Sequence, residues 1–394
     1  MTKRTEYKKI ISKISIPADH KIKQKAYLQS GTLPVIDQGQ KLIGGYTNDC
    51  PKQIVCDLPV IVFGDHTKNV KYINFPFCAG ADGIKILKVK DDVFPKYLYY
   101  GTIFLTYCIE DKGYARHYQH IEKQELSVPP LPEQERIVAK IEELFSQLDA
   151  AVAELKSVKE KLAIYRQAVL KEAFEGKLTE KWRILHHKNN EWCVFNIKNI
   201  VQKGQNSLKA GPFGSALKKS CYVPSGYKVY GQEQVIAGNE NIGDYYISEE
   251  KYQELISCKI QPYDILISLV GTVGKVLILS AECEPGVINP RLIKVSLDRK
   301  KMLPEFFKYY FTSNYLKSLY KQKVHGATMD VLNMGMIKEL PFQWCPIDEQ
   351  RQVMSEIEAR ISICNNIEQT VDTTLQQAVA LRQSILKQAF EGNL

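Results

Sequence analysis

The feature that most constrains this chain is a long internal repeat. PLPEQERIVAKIEELFSQ, beginning at Pro130, returns as PIDEQRQVMSEIEARISI from Pro346, and YRQAVLKEAFEGKL (Tyr165 to Leu178) returns as LRQSILKQAFEGNL (Leu381 to Leu394). Both ends share one offset of 216 residues, so the two copies have equal length and no gap between them. A chain built this way is two like units rather than one continuous core. Its 394 residues agree, since one domain uses about 100 to 200.

Each copy is predicted to be one long helix. Ile141, Leu148, Leu155, Leu162 and Val169 recur every seven residues, with Ile137, Leu144, Ala151, Val158 and Tyr165 between them. That alternation of threes and fours is the pattern of a coiled-coil seam. The second copy carries Ile357, Cys364, Val371, Ala378 and Ile385 at the same positions, with Val353, Arg360, Ile367, Thr374 and Leu381 between, a weaker seam that still suits a partner helix. Pro132, Glu133 and Glu135 suit the first helix start, Pro346, Asp348 and Glu349 the second, and Gly176 and Gly392 the stops. About 40 residues at 1.5 Å each give a rod of about 60 Å.

Residues 1 to 129 and 179 to 345 remain, and both contain strand-like runs between Gly, Asn and Pro turns. The runs are Pro59 to Phe63, Ile84 to Val89, Ile265 to Val270 and Lys275 to Leu279. Near the end of each region lies a short aromatic helix, VFPKYLYY from Val93 and MLPEFFKYY from Met302. The order is therefore domain 1 to 129, helix 130 to 178, domain 179 to 345, helix 346 to 394, in the α/β class with mixed α+β character.

Several classes are excluded. MTKRTEYKKI has no apolar run behind its lysines, so no secretory signal is read there and the chain is expected in the cytoplasm. Ile265 to Gly274 offers about ten uncharged residues where a spanning helix needs about 20, and reads as a buried strand pair. The ten cysteines are scattered without a CxxC, so neither a disulfide framework nor a metal site is expected.

The net charge is +9, and its distribution says more than its total. Residues 1 to 129 carry +6 and residues 179 to 345 carry +7, whereas the two helices carry −1 and −3. The surplus belongs to the two globular regions, which suits two contacts with a polyanion such as double-stranded DNA.

No catalytic constellation is present. Asn289-Pro290-Arg291 lacks the second proline and aromatic of a methyltransferase clamp, and Gly271 to Lys275 fails the phosphate-loop spacing, so both read as turns. Asp65 and His66, if on a strand, would face opposite ways, so a turn offering polar groups to a partner fits better. The candidate DNA-binding residues are His66, Thr67 and Lys68, then Lys112, Tyr114, Arg116, His117 and Gln119 in KGYARHYQH, and Lys218 and Lys219 in GPFGSALKKS. Lys321, Lys323, His325 and Thr328 in KQKVHGATMD complete them. Arg and Gln match base edges and Lys and His match phosphate, although each stretch also reads as a solvated loop.

This arrangement resembles the specificity subunit of type I restriction-modification enzymes. The resemblance spans essentially the whole chain and rests on Glu133-Gln134 and Glu349-Gln350, on the Ala-Phe-Glu-Gly endings at Ala173 and Ala389, and on GPFGSALKK, DILIS with GTVGK, and INPRLIK in the second domain. GDHT at Gly64 and DGIKIL at Asp82 resemble another version of the module. It implies two target-recognition domains, each reading half of a bipartite DNA site, separated by two antiparallel coiled-coil spacer helices. It also implies a non-catalytic subunit that docks methyltransferase and restriction subunits. S-adenosylmethionine, ATP and magnesium would then belong to those partners, with no cofactor in this chain. One departure stands out: Trp192 matches the aromatic that opens such modules, whereas the first module has no tryptophan near its start.

Overall fold

The computed structural model describes residues 3–80, 83–110, 113, 115–213, 216–269, 274–317 and 333–394. The chain divides into two compact units, one joining Met1–Ser157 with Val371–Leu394 and the other formed by Val158–Thr370. The long helices run Leu131–Phe174 and Ile347–Glu391, so each unit contains one globular module and one end of each helix.

In the first module an antiparallel sheet has the order β2 (Ile11–Ile14), β8 (Ile84–Val89), β5 (Val60–Gly64), β6 (Val70–Ile73). A smaller sheet has the order β4 (Gly45–Thr47), β3 (Leu33–Ile36), β7 (Cys78–Ala79), with β3 and β7 parallel. The strands β1 (Lys3–Glu6) and β9 (Glu125–Val128) pair beside them. Alternation along β5 explains why its whole run is apolar, since successive side chains of a strand enter opposite faces. Ile61 and Phe63 pack with the Pro95–Cys108 helix and with Ile137, Ile141, Phe145, Leu386 and Phe390 of the long helices, while Val60 and Val62 fill a second core with Ile36 and Ile86.

The second module repeats the main-sheet order and the parallel pair with different residues, and its smaller sheet has one strand more. Its main sheet has the order β11 (Leu208–Ala210), β18 (Leu292–Val295), β15 (Ile265–Ser268), β16 (Val276–Ile278). Its other sheet has the order β12 (Tyr222–Val223), β14 (Tyr246–Ile247), β13 (Tyr227–Tyr230), β17 (Gly286–Ile288), with β13 and β17 parallel. The strands β10 (Cys193–Phe195) and β19 (Phe342–Trp344) form the separate pair. Ile265 and Ile267 face the helix side and Leu266 the inter-sheet core, so Ile265–Ser268, the described start of the most membrane-like stretch, is a buried strand. Among the described residues no helix is long and apolar enough to cross a membrane.

The Glu-Gln motif has a structural cause. Gln134 is wholly buried; its Oε1 accepts from the Phe94 N–H at 2.8 Å and its Nε2 donates to the carbonyls of Asp92 and Pro129. Gln350 repeats all three bonds with Leu303, Lys301 and Cys345. Each glutamine thus fastens the start of a long helix to the segment entering the aromatic helix. Gln134→Ala should destabilise the first unit by about 2 to 3 kcal/mol, because one buried and two part-buried backbone groups lose their partner. Chemical denaturation measures this, and a loss below about 0.5 kcal/mol would contradict the fastening role.

Within each unit the two helix ends pair antiparallel. In the first, Arg136 donates to the Leu394 carbonyl at 2.9 Å, and Arg382 meets Asp149 with its guanidinium 4.3 Å from the Phe145 ring centre. In the second, Arg166 donates to Asn365 Oδ1 at 2.8 Å and to Glu368 at 2.7 Å. Arg166 and Arg382 are corresponding residues of the repeat, as are Asp149 and Asn365, so one contact is made twice. Ile141, Leu162, Val169, Ile357, Cys364, Val371 and Ile385 are buried, and Leu148, Leu155 and Ala378 are half-buried. The intermediate row is a correction to the expected seam: Ala151, Tyr165, Ile367 and Leu381 are exposed. The rest of that row is covered as expected, with Ile137 and Val353 buried and Leu144, Val158, Arg360 and Thr374 half-buried.

Candidate nucleic-acid interface

The polar turn after β5 and the stretch before β9, far apart in sequence, meet in the first module. Asp65 is buried; its Oδ1 accepts from the Tyr118 N–H at 2.9 Å, its carbonyl accepts from the His117 N–H at 2.8 Å, and Lys85 lies 3.8 Å from its carboxylate. Asp65 is therefore a structural tie, in keeping with a turn rather than an acid and base on a strand. His117 is only 1% exposed, with its Nδ1 3.1 Å from the Asp65 carbonyl, so its ring lines the interior and does not face a phosphate. Arg116, Gln119 and Thr67 are exposed, and His66 and Lys68 are half-buried. Lys112 and Tyr114 lie outside the described residues.

The turn is anchored from behind by the end of β3. Thr67 Oγ1 and Asn69 Nδ2 donate to the Gln38 carbonyl at 2.6 and 2.8 Å, and the Gln38 side-chain Oε1 lies 3.4 Å from the His66 N–H. Gly64 permits this approach, because a Cβ there would sit 2.4 Å from Thr67 Oγ1 and 2.9 Å from the Gln38 Cβ. Nearby, Lys13, Lys21 and Lys85 line a shallow cleft of about 350 Å³.

In the second module Lys218 and Lys219 are exposed, whereas Lys321, Lys323, His325 and Thr328 lie outside the described residues. A cluster that the sequence did not bring together, with Asn289 and Arg291 in the turn expected there, sits at the ends of β13, β15 and β18. Gln232 Nε2 donates to Ser268 Oγ at 2.9 Å, Arg291 Nη1 lies 3.4 Å from Gln232 Oε1, and Asn289 Oδ1 accepts from the Arg291 N–H at 2.9 Å. The spacing gave no signal, because 36 residues separate Gln232 from Ser268 and 59 separate it from Arg291.

Not all of the basic surplus faces outward. Lys71, Lys228 and Lys294 are buried and paired with Asp37, Glu284 and Asp264. Burial pushes the Lys71 and Lys294 ammonium groups down and the Asp264 carboxyl up from their ordinary ranges. Each pair removes one base and one acid, so the surpluses of +6 and +7 are undiminished on the remaining side chains. Among the described residues no group of three or more His, Cys, Asp or Glu side chains is placed to hold a metal ion.

A family model described as the type I restriction modification DNA specificity domain matches residues 11–160 and 189–377. The type I restriction enzyme EcoKI specificity subunit of Escherichia coli (strain K12) is 28% identical over 277 residues, covering 68% of this chain and 57% of that subunit. The StySPI specificity subunit of Salmonella potsdam is 25% identical over 278 residues, with 68% and 57% covered. The matched region thus spans less than two thirds of those relatives. Among solved structures, the HsdS subunit from Thermoanaerobacter tengcongensis gives a TM-score of 0.52 at 16% identity, over 100% of this chain and 94% of that one. A chain from work on complex assembly and conformational transition of the type I R-M system gives 0.65 at 16% identity, over 100% and 95%. At that identity the likeness is one of fold.

Proposed function

This chain belongs to the type I restriction-modification DNA specificity family, and from that premise we propose that it is the non-catalytic specificity subunit of a type I complex. Each module reads one half of a bipartite duplex site, and the paired helices set the gap and dock the methyltransferase subunits, with a restriction subunit joining them. S-adenosylmethionine, ATP and magnesium are used by those partners, so that one reader directs both methylation and restriction.

The observation that carries this reading is the pair of modules with one main-sheet order and unlike residues, each fixed to like helix ends by the same glutamine bonds. Like frames with unlike surfaces suit two different half-sites. For docking, the repeat offers two equivalent apolar positions, Tyr165 at 44% and Leu381 at 50% exposure, which suit two copies of one partner.

Exchanging residues 1 to 129 for the module of another family member should change only one half of the methylated motif. Long-read methylation mapping with a co-expressed methyltransferase subunit reads both halves and the gap at once. A change in both halves would overturn the modular assignment.

A further inference from the structure

We propose that Gln38 in the first module and the Gln232 and Arg291 pair in the second are base-reading side chains, an assignment that rests on the DNA-reading role above and gives it residues. The two glutamines occupy one topological point. Gln38 stands two residues after Ile36, where β3 pairs in parallel with β7, and Gln232 stands two residues after Tyr230, where β13 pairs in parallel with β17. Each then meets the last residue of the central strand of the main sheet. Gln38 lies against Gly64, which ends β5, and Gln232 bonds to Ser268, which ends β15. Two modules that share little sequence have a glutamine at the same strand end, with different neighbours around it.

The chemistry suits reading. A glutamine amide offers one donor and one acceptor to adenine N7 and N6, and an arginine offers paired donors to guanine O6 and N7. The backbone around both glutamines is fixed in advance. Lys71 holds the Asp37 carbonyl at 2.7 Å, Thr67 and Asn69 hold that of Gln38, and the Tyr230 carbonyl accepts from Asn289. Side chains held in place lose little freedom on binding. Gln234 supplies the contrast: it is wholly buried, with its amide bonded to the Gly231 N–H and the Ile242 carbonyl, and does purely structural work. Gln38 and Gln232 are only half-buried and stand beside the exposed Thr67 and Arg291.

The test uses the assembled complex carrying Gln38→Ala, Gln232→Ala or Arg291→Ala, with Gln232→Glu and Arg291→Lys as volume-preserving companions. Each is scored by methylation mapping and by titration against duplexes altered at one base pair at a time. Arg291→Ala and Gln232→Ala should each weaken binding to the parent site by about 5- to 150-fold, with no further loss when one particular base pair of one half-site is altered. Gln38→Ala should do the same in the other half. An unchanged motif, or an equal loss on every duplex, overturns the assignment. The companion variants should keep the parent melting temperature and still change base preference, which separates reading from folding. A parent complex yielding no bipartite motif would instead overturn the DNA-reading role itself.

Discussion

Replacing Glu349 by alanine is expected to destabilise the second unit by about 3 to 5 kcal/mol, a large share of the roughly 5 to 15 kcal/mol that holds a domain together. Glu349 is buried, and one carboxylate oxygen accepts from Thr179 Oγ1 at 2.6 Å, from Trp192 Nε1 at 2.7 Å and from Arg183 Nη1. The other Arg183 nitrogen donates to the Gly176 carbonyl at 2.8 Å, where the first long helix ends. Removing the carboxylate leaves the guanidinium, only 10% exposed, without its counter-charge and two further donors without an acceptor. Denaturant melting of the full chain should resolve the loss, and a double variant with Arg183→Met should recover much of it. A single-variant loss under 1 kcal/mol would show that water or nearby carbonyls satisfy the guanidinium. Glu133, the corresponding residue, is the control: it pairs with exposed Arg136, so Glu133→Ala should cost less than about 1 kcal/mol.

This contrast shows how far a repeat can be read. Gln134 and Gln350 do identical work, and their shared Pro-x-x-Glu-Gln context predicts a common role. Glu133 and Glu349 stand in the same motif with unequal burial, because only the second meets the segment carrying Thr179, Arg183 and Trp192. Trp192, legible as a module-opening aromatic, is explained here as a donor to Glu349. The seven-residue rows of both helices were legible from periodicity alone, since a helix buried on one stripe needs apolar residues at that period. The exposure of Tyr165 and Leu381 was not, because it depends on what packs alongside.

The modules were less legible than the helices. Apolar runs located β5, β8, β15 and β16, yet nothing in the residues revealed that the modules share a strand order, because sheet pairing joins segments tens of residues apart. The same distance hid Gln38, Gln232, Ser268 and Arg291, none of which lies in a basic run. Composition drew attention to KGYARHYQH instead, where His117 proves to be a core residue tied to Asp65. Basic runs indicate where charge gathers, whereas strand ends decide which side chains are held still enough to read a base.

Seven residues inserted between Asp149 and Leu162 alone are expected to abolish sequence-specific methylation, whereas seven matched by another seven between Asn365 and Leu381 should lengthen the gap between half-sites. Asp149 and Arg166 are 17 residues apart on the first helix, and their partners Asn365 and Arg382 are 17 apart on the second. An unmatched insertion makes these lengths 24 and 17, so one arginine contact or one helix must break. Equal insertions restore the match, and a heptad preserves the facing row because it returns the helix to the same phase. The added length is about 10 Å at 1.5 Å per residue, or about three base pairs at about 3.4 Å each. Methylation mapping separates the cases: an unchanged gap in the matched variant would contradict the spacer role of the helices, and normal methylation by the unmatched variant would contradict the pairing of equal lengths.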